Sequence, residues 1–254
     1  MRMNDLDYRE DTEIFRGLIA YDDTASGKQP GVLVFHEGLG LGEHIIERTR
    51  RVAKLGYVAL AADMFGDRRQ ARDLEDMRRL VGDLRNDPTK LRARGRAALA
   101  TLASQPQVDA GKLCAIGFCF GGSVVLELAR DGAVLKAVVS FHGVLATKAP
   151  ALPGKVRASV LVLTGADDPL APPDHVAAFE NEMRGADVRN WQVITYGNPP
   201  CLHQSCSGRV VPVGHALQRA IGPQIVGSNE AFLGRGHSAK RTCRGRLTMS
   251  APVG

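Results

Sequence analysis

The chain has 254 residues, 44% apolar and 24% charged, enough for one domain with a substantial core. No run reaches the roughly 18 apolar residues of a membrane span, the polar start Met1–Asp7 lacks the apolar segment of a secretory signal, and five cysteines without framework spacing suit a reducing compartment, so a cytoplasmic location is expected. The formal net charge of +6 does not indicate nucleic acid: residues 1–198 carry 26 basic and 26 acidic side chains, while residues 199–254 carry seven basic and one acidic (Glu230), without clustered Lys/Arg or interleaved aromatics.

In chain order, residues 13–20 and 31–35 read as strands, the second a near-continuous apolar run suited to a buried sheet. Residues 43–55 have helical periodicity and stop at Gly56; 57–62 read as a strand; 73–84 and 88–103 are helical, the latter opening with Pro88. Strand 112–117, helix 122–130, strands 134–140 and 158–164, helix 173–184 and strand 190–196 follow. Strands separated by helices predict an α/β domain with a mostly parallel central sheet and helices on both faces.

The sequence Gly117-Phe118-Cys119-Phe120-Gly121-Gly122 joins a strand to a helix. Glycines there permit a tight, crowded turn, the arrangement of a nucleophile elbow. The elbow would hold Cys119 at a helix N-terminus, where orphan N–H groups favour a thiolate, so a depressed thiol pKa is expected. The N–H of Phe120 would then face a developing oxyanion. A cysteine nucleophile needs a base and the base an orienting acid. Asp168, in Gly165-Ala166-Asp167-Asp168-Pro169 after a buried strand, is placed to be that acid, with Asp167 as the neighbouring alternative. Glu37 ends an early strand, on the ligand-binding edge of such a sheet. His36 and His142 also end strands and read as structural or pocket-lining histidines.

Phe35-His36-Glu37-Gly38, the segment Gly56–Gly66, the Gly117–Gly122 elbow and Gly165–Pro172 together resemble the dienelactone hydrolase family. The resemblance covers about residues 10 to 198 and implies the α/β-hydrolase fold. It further implies Cys119 as nucleophile, Asp168 as triad acid and Glu37 as the carboxylate that helps deprotonate the thiol when substrate arrives. The N–H groups of Gly38 and Phe120 would line the oxyanion hole. The implied activity is hydrolysis of a small-molecule lactone or small carboxylic ester by a monomer or small oligomer, with no cofactor and no metal. The alternative is a catalytically impaired relic or binding protein with an intact pocket but no proper triad histidine.

After Asn198 the chain changes character. The family's histidine should follow the last strand by a few residues, yet the sequence continues Pro199-Pro200-Cys201-Leu202-His203, leaving His203 as the candidate base. Residues 207–254 show no sustained helical period where a last helix should cover the sheet. A frameshift after Asn198 is the expected explanation: residues 216–235 admit codons that, read one nucleotide later, would spell a helix-forming segment, and restoring two bases after codon 198 would put a histidine at position 201 in place of Cys201. Residues 1–198 are thus expected to form the hydrolase domain, and 199–254 an aberrant, disordered basic tail replacing the last helix. Cys201, His203 and Cys206 are too few for a zinc site.

Overall fold

The computed structural model describes residues 1–197 and Ala216. The expected base His203, the expected tail and the position of the expected last helix lie outside those residues, Ala216 excepted, which is helical and buried. Among the described residues the elements run β1 (Arg2–Glu10), β2 (Glu13–Tyr21), β3 (Gln29–Phe35), α1 (Glu43–Lys54), β4 (Val58–Ala62), α2 (Leu74–Asn86), α3 (Pro88–Ala103), β5 (Val108–Phe118), α4 (Phe120–Arg130), β6 (Ala137–Phe141), β7 (Ser159–Gly165), α5 (Pro173–Gly185) and β8 (Trp191–Tyr196). The strands form one sheet in the order β1-β2-β4-β3-β5-β6-β7-β8. From β4 to β8 across the sheet all pairs are parallel, whereas β1–β2 and β2–β4 are antiparallel. This is the α/β-hydrolase fold.

Side-chain alternation builds two cores, one on each face. Leu33 and Phe35 of β3, with Leu113 and Ala115 of β5, join Leu91, Ala98 and Leu102 of α3 and Val124, Val125 and Leu128 of α4. Their neighbours Val32, Val34, Cys114 and Ile116 point the other way, to Ile45, Val52 and Ala53 of α1. A fully buried side chain such as Phe35 or Leu33 contributes about 1.5–3 kcal/mol of transfer free energy. Helix α3 starts where the sequence stops α2: Asp87 ends α2, accepts the Lys90 N–H, and Pro88 takes the first helical position. Helix α4, buried along its whole length, runs under the centre of the sheet.

The structure adds one strand that sequence periodicity does not reveal. β1 is an edge strand whose one buried residue is Tyr8, so the two-residue apolar alternation is missing; it forms because it pairs with β2 along its whole length.

The parallel register brings the strand ends together. Phe35 lies beside Gly117, Phe118 beside Phe141, and Phe141 beside Leu163. Residues 36–38, Cys119, His142 and Asp168 therefore leave the sheet along one edge, where open α/β sheets bind ligands.

Candidate active site

Cys119 has φ 53° and ψ −114°, a strained conformation for a residue with a Cβ. It is held there by its N–H donating to the Phe141 carbonyl at 2.9 Å and by the crossing of β5 and α4. That crossing demands glycine. A Cβ on Gly117 would overlap the Gly121 carbonyl, and one on Gly122 would lie 2.7 Å from Ser140 Oγ and 2.8 Å from Gly143 Cα. Gly121 donates its N–H to the His36 carbonyl at 3.0 Å, tying the elbow to the loop that follows β3.

The backbone N–H groups of Phe120 and Gly38 both act on the Cys119 sulfur and favour its thiolate. Two N–H groups from different segments thus converge on one sulfur. The thiol pKa is nevertheless raised, which corrects the sequence expectation. Burial of the sulfur is the largest influence and outweighs the two N–H groups; the Asp168 charge raises the pKa further, and Arg85 lowers it. The helix N-terminus favours the thiolate, but removal from water disfavours it more. Cys114, on the strand before, is pushed up to about 12 by burial and faces the α1 core.

Asp168 is 3% exposed, while Asp167 is exposed. Its Oδ1 accepts the Leu170 N–H at 2.9 Å, and its buried Oδ2 has no hydrogen-bond partner among the described residues. A buried carboxylate oxygen without a donor is costly, and an imidazole N–H is a group that would satisfy it. Burial lowers the pKa of His142, at φ 43°, although the Asp168 charge opposes it; its buried Nδ1 also has no hydrogen-bond partner among the described residues.

Glu37 is not drawn to the sulfur. Its carboxylate pairs with Arg48 of α1, whose guanidinium lies 3.9 Å from the Phe118 ring centroid, and Phe118 stacks on Phe141 at 4.6 Å. Burial lowers the Arg48 pKa to about 10, so it remains a cation at neutral pH. Sequence reasoning passed over Arg48 and Arg85, because both lie on helices remote from any motif. His36 is fully buried and makes two ring hydrogen bonds, as a structural histidine should: Nδ1 to the Glu37 carbonyl at 2.7 Å, and Nε2 with the Met64 N–H at 3.1 Å.

With elbow, converging donors and buried acid in view, similarity to known proteins is specific. The dienelactone hydrolase family model matches residues 15–199. A Yersinia pestis protein provisionally named a carboxymethylenebutenolidase is 32% identical over 187 residues, covering 70% of each chain. Among solved structures, a protein named m3DLH is 46% identical with a TM-score of 0.73, covering 77% of this chain and 81% of its own. A dienelactone hydrolase-like promiscuous phosphotriesterase from metagenomic libraries is 43% identical with a TM-score of 0.71, covering 78% and 82%. The chain belongs to the dienelactone hydrolase family and is a hydrolase of the α/β-hydrolase fold.

Proposed function

We propose that this chain hydrolyses a lactone or small carboxylic ester, with Cys119 as the nucleophile. The observation that carries the reading is the convergence of the Gly38 and Phe120 N–H groups on a sulfur held at a strained elbow. Attack forms a bond from Sγ to the carbonyl carbon and moves an electron pair onto the carbonyl oxygen. The two N–H groups follow the charge from sulfur to that oxyanion. Collapse re-forms the carbonyl and breaks the carbon–oxygen bond to the leaving group, which takes up a proton. Water then attacks the thioester, returning the thiol and releasing the acid.

The raised thiol pKa means that the resting nucleophile is protonated at neutral pH, so a base must act. Glu37 is the carboxylate assigned to take the thiol proton once substrate is bound, which requires it to leave Arg48. Asp168 is assigned to orient the triad imidazole through Oδ2. His203 is the candidate base in the segment after β8, and the reaction as drawn uses no metal or organic cofactor.

Turnover of p-nitrophenyl acetate and of a small lactone tests the proposal, with paraoxon included because a relative is a phosphotriesterase. Wild-type turnover that Cys119→Ala abolishes and Cys119→Ser leaves at trace level supports it. Stoichiometric labelling of Cys119 with no turnover of any ester would contradict it and favour a pocket that only binds. Glu37→Gln should alter the pH–rate profile; an unchanged profile removes Glu37 from the mechanism.

A further inference from the structure

We infer that His36 is a positioning residue that aims the Gly38 N–H of the oxyanion hole, acting through the Glu37 carbonyl. The inference rests on the reading of Cys119 as nucleophile and Gly38 N–H as oxyanion donor. Its starting point is the tautomer. The Met64 backbone N–H can only donate, so at 3.1 Å His36 Nε2 is the acceptor and bears no proton. The ring proton is therefore on Nδ1, which donates to the Glu37 carbonyl oxygen at 2.7 Å.

That oxygen and the Gly38 N–H belong to the same peptide unit. The unit is planar and trans, so its C=O and N–H point in opposite directions and rotate together. Gripping the oxygen sets where the N–H points. The grip is two-sided, because the Gly40 N–H also donates to the Glu37 oxygen at 3.1 Å. The N–H at the far end of that peptide is one of the two that favour the Cys119 thiolate.

His36 itself is anchored from three directions. Its carbonyl accepts the elbow's Gly121 N–H at 3.0 Å. Its ring packs edge-on to Phe65 at 4.8 Å and tilted against Phe120 at 6.0 Å. Met64 begins a loop pinned by buried Asp63, whose carboxylate accepts the N–H groups of Arg16, Phe65, Gly66 and Arg68. The β4 loop, the oxyanion loop and the elbow thus meet at one imidazole. A residue serving only to fill the core would need neither a fixed tautomer nor a link to the donor peptide.

Two substitutions in the full chain separate positioning from packing. In His36→Asn the amide NH₂ can take the place of Nδ1–H, and in His36→Gln the amide oxygen can take the place of Nε2 while the Nδ1 donor is lost. The readout is iodoacetamide labelling of Cys119 at neutral pH, resolved from the other cysteines by peptide mass spectrometry, with thermal melts as the control for folding. Below its pKa a thiol reacts in proportion to its thiolate fraction, and the Gly38 N–H favours the thiolate. His36→Gln should slow labelling about tenfold, and His36→Asn should stay within about twofold of wild type. Equal slowing in both, loss of folded protein in both, or a His36→Gln rate within about twofold of wild type would overturn the inference. Faster labelling of Cys114 than of Cys119 in the wild type would instead overturn the nucleophile reading beneath it.

Discussion

Replacing Gly117 by alanine is the sharpest test of the elbow as a packing device. An alanine Cβ there would overlap the Gly121 carbonyl and lie 2.7 Å from the Gly122 nitrogen. Each of these atoms is backbone of α4, so no side chain can swing aside. Overpacking against side chains costs about 1–3 kcal/mol; with rigid backbone on the other side, the top of that range, about 3 kcal/mol or more, is expected. For a chain of this size each kcal/mol is worth roughly 2–4 °C in Tm, so the melt should fall by roughly 6–12 °C. Gly82→Ala is the control, because a Cβ at this α2 position meets nothing within 4 Å. The same chemical change should there stabilise by about 0.5–1 kcal/mol, as alanine replaces glycine in a helix interior. Urea denaturation followed by the fluorescence of Trp191, the one tryptophan, measures both. A Gly117→Ala protein within about 0.5 kcal/mol of wild type, or shifts of the same sign in both variants, would refute the packing argument.

Asp168→Asn should cut kcat by about 10²–10⁴-fold with little change in stability, and esterase kinetics beside a urea titration will show whether the loss is catalytic. Burial lowers the His36 pKa to about 4, against about 6.5 unfolded, with Asp63 partly opposing. The folded state thus binds fewer protons, so about 3 kcal/mol of stability present above pH 6.5 should be lost as pH falls towards 4; a flat profile in that window, by urea titration at stepped pH, would contradict the assignment. Arg130, 2% exposed, pairs with Glu127 and Glu182 and donates to the Leu145 carbonyl. Arg92 still pairs with Glu127 in Arg130→Met, but Glu182 loses its guanidinium partner and the Leu145 carbonyl its donor, so the change should cost about 3 kcal/mol, a loss that the same denaturation assay reads directly.

The alternation of strands and helices was legible because each element has one dominant period. The elbow was legible because glycine at 117, 121 and 122 around Cys119 has few other uses. β1 escaped because its stability comes from its neighbour, not from its own pattern. β5 begins at Val108, four residues before the apolar run at 112, because its polar start pairs with Gln29 and Pro30 across a register shift. Within the candidate site, sequence offered Asp168 as the proposed acid with Asp167 as the neighbouring alternative, and the two differ in burial, which no local pattern displays. The direction of the Cys119 pKa shift was missed for the same reason: the helix N-terminus is visible in a motif, but the depth of the sulfur beneath it is not. The Glu37–Arg48 pair depends on how α1 lies on the sheet, which no local pattern encodes.

The central claim, that Cys119 carries the acyl group, is tested most directly by quenching a reaction with p-nitrophenyl acetate in acid and mapping the peptides by mass spectrometry. One acetyl group on the peptide containing Cys119, absent from Cys119→Ala and absent from Cys114, is the predicted result. Acetylation elsewhere, or hydrolysis persisting in Cys119→Ala at the wild-type rate, would contradict it.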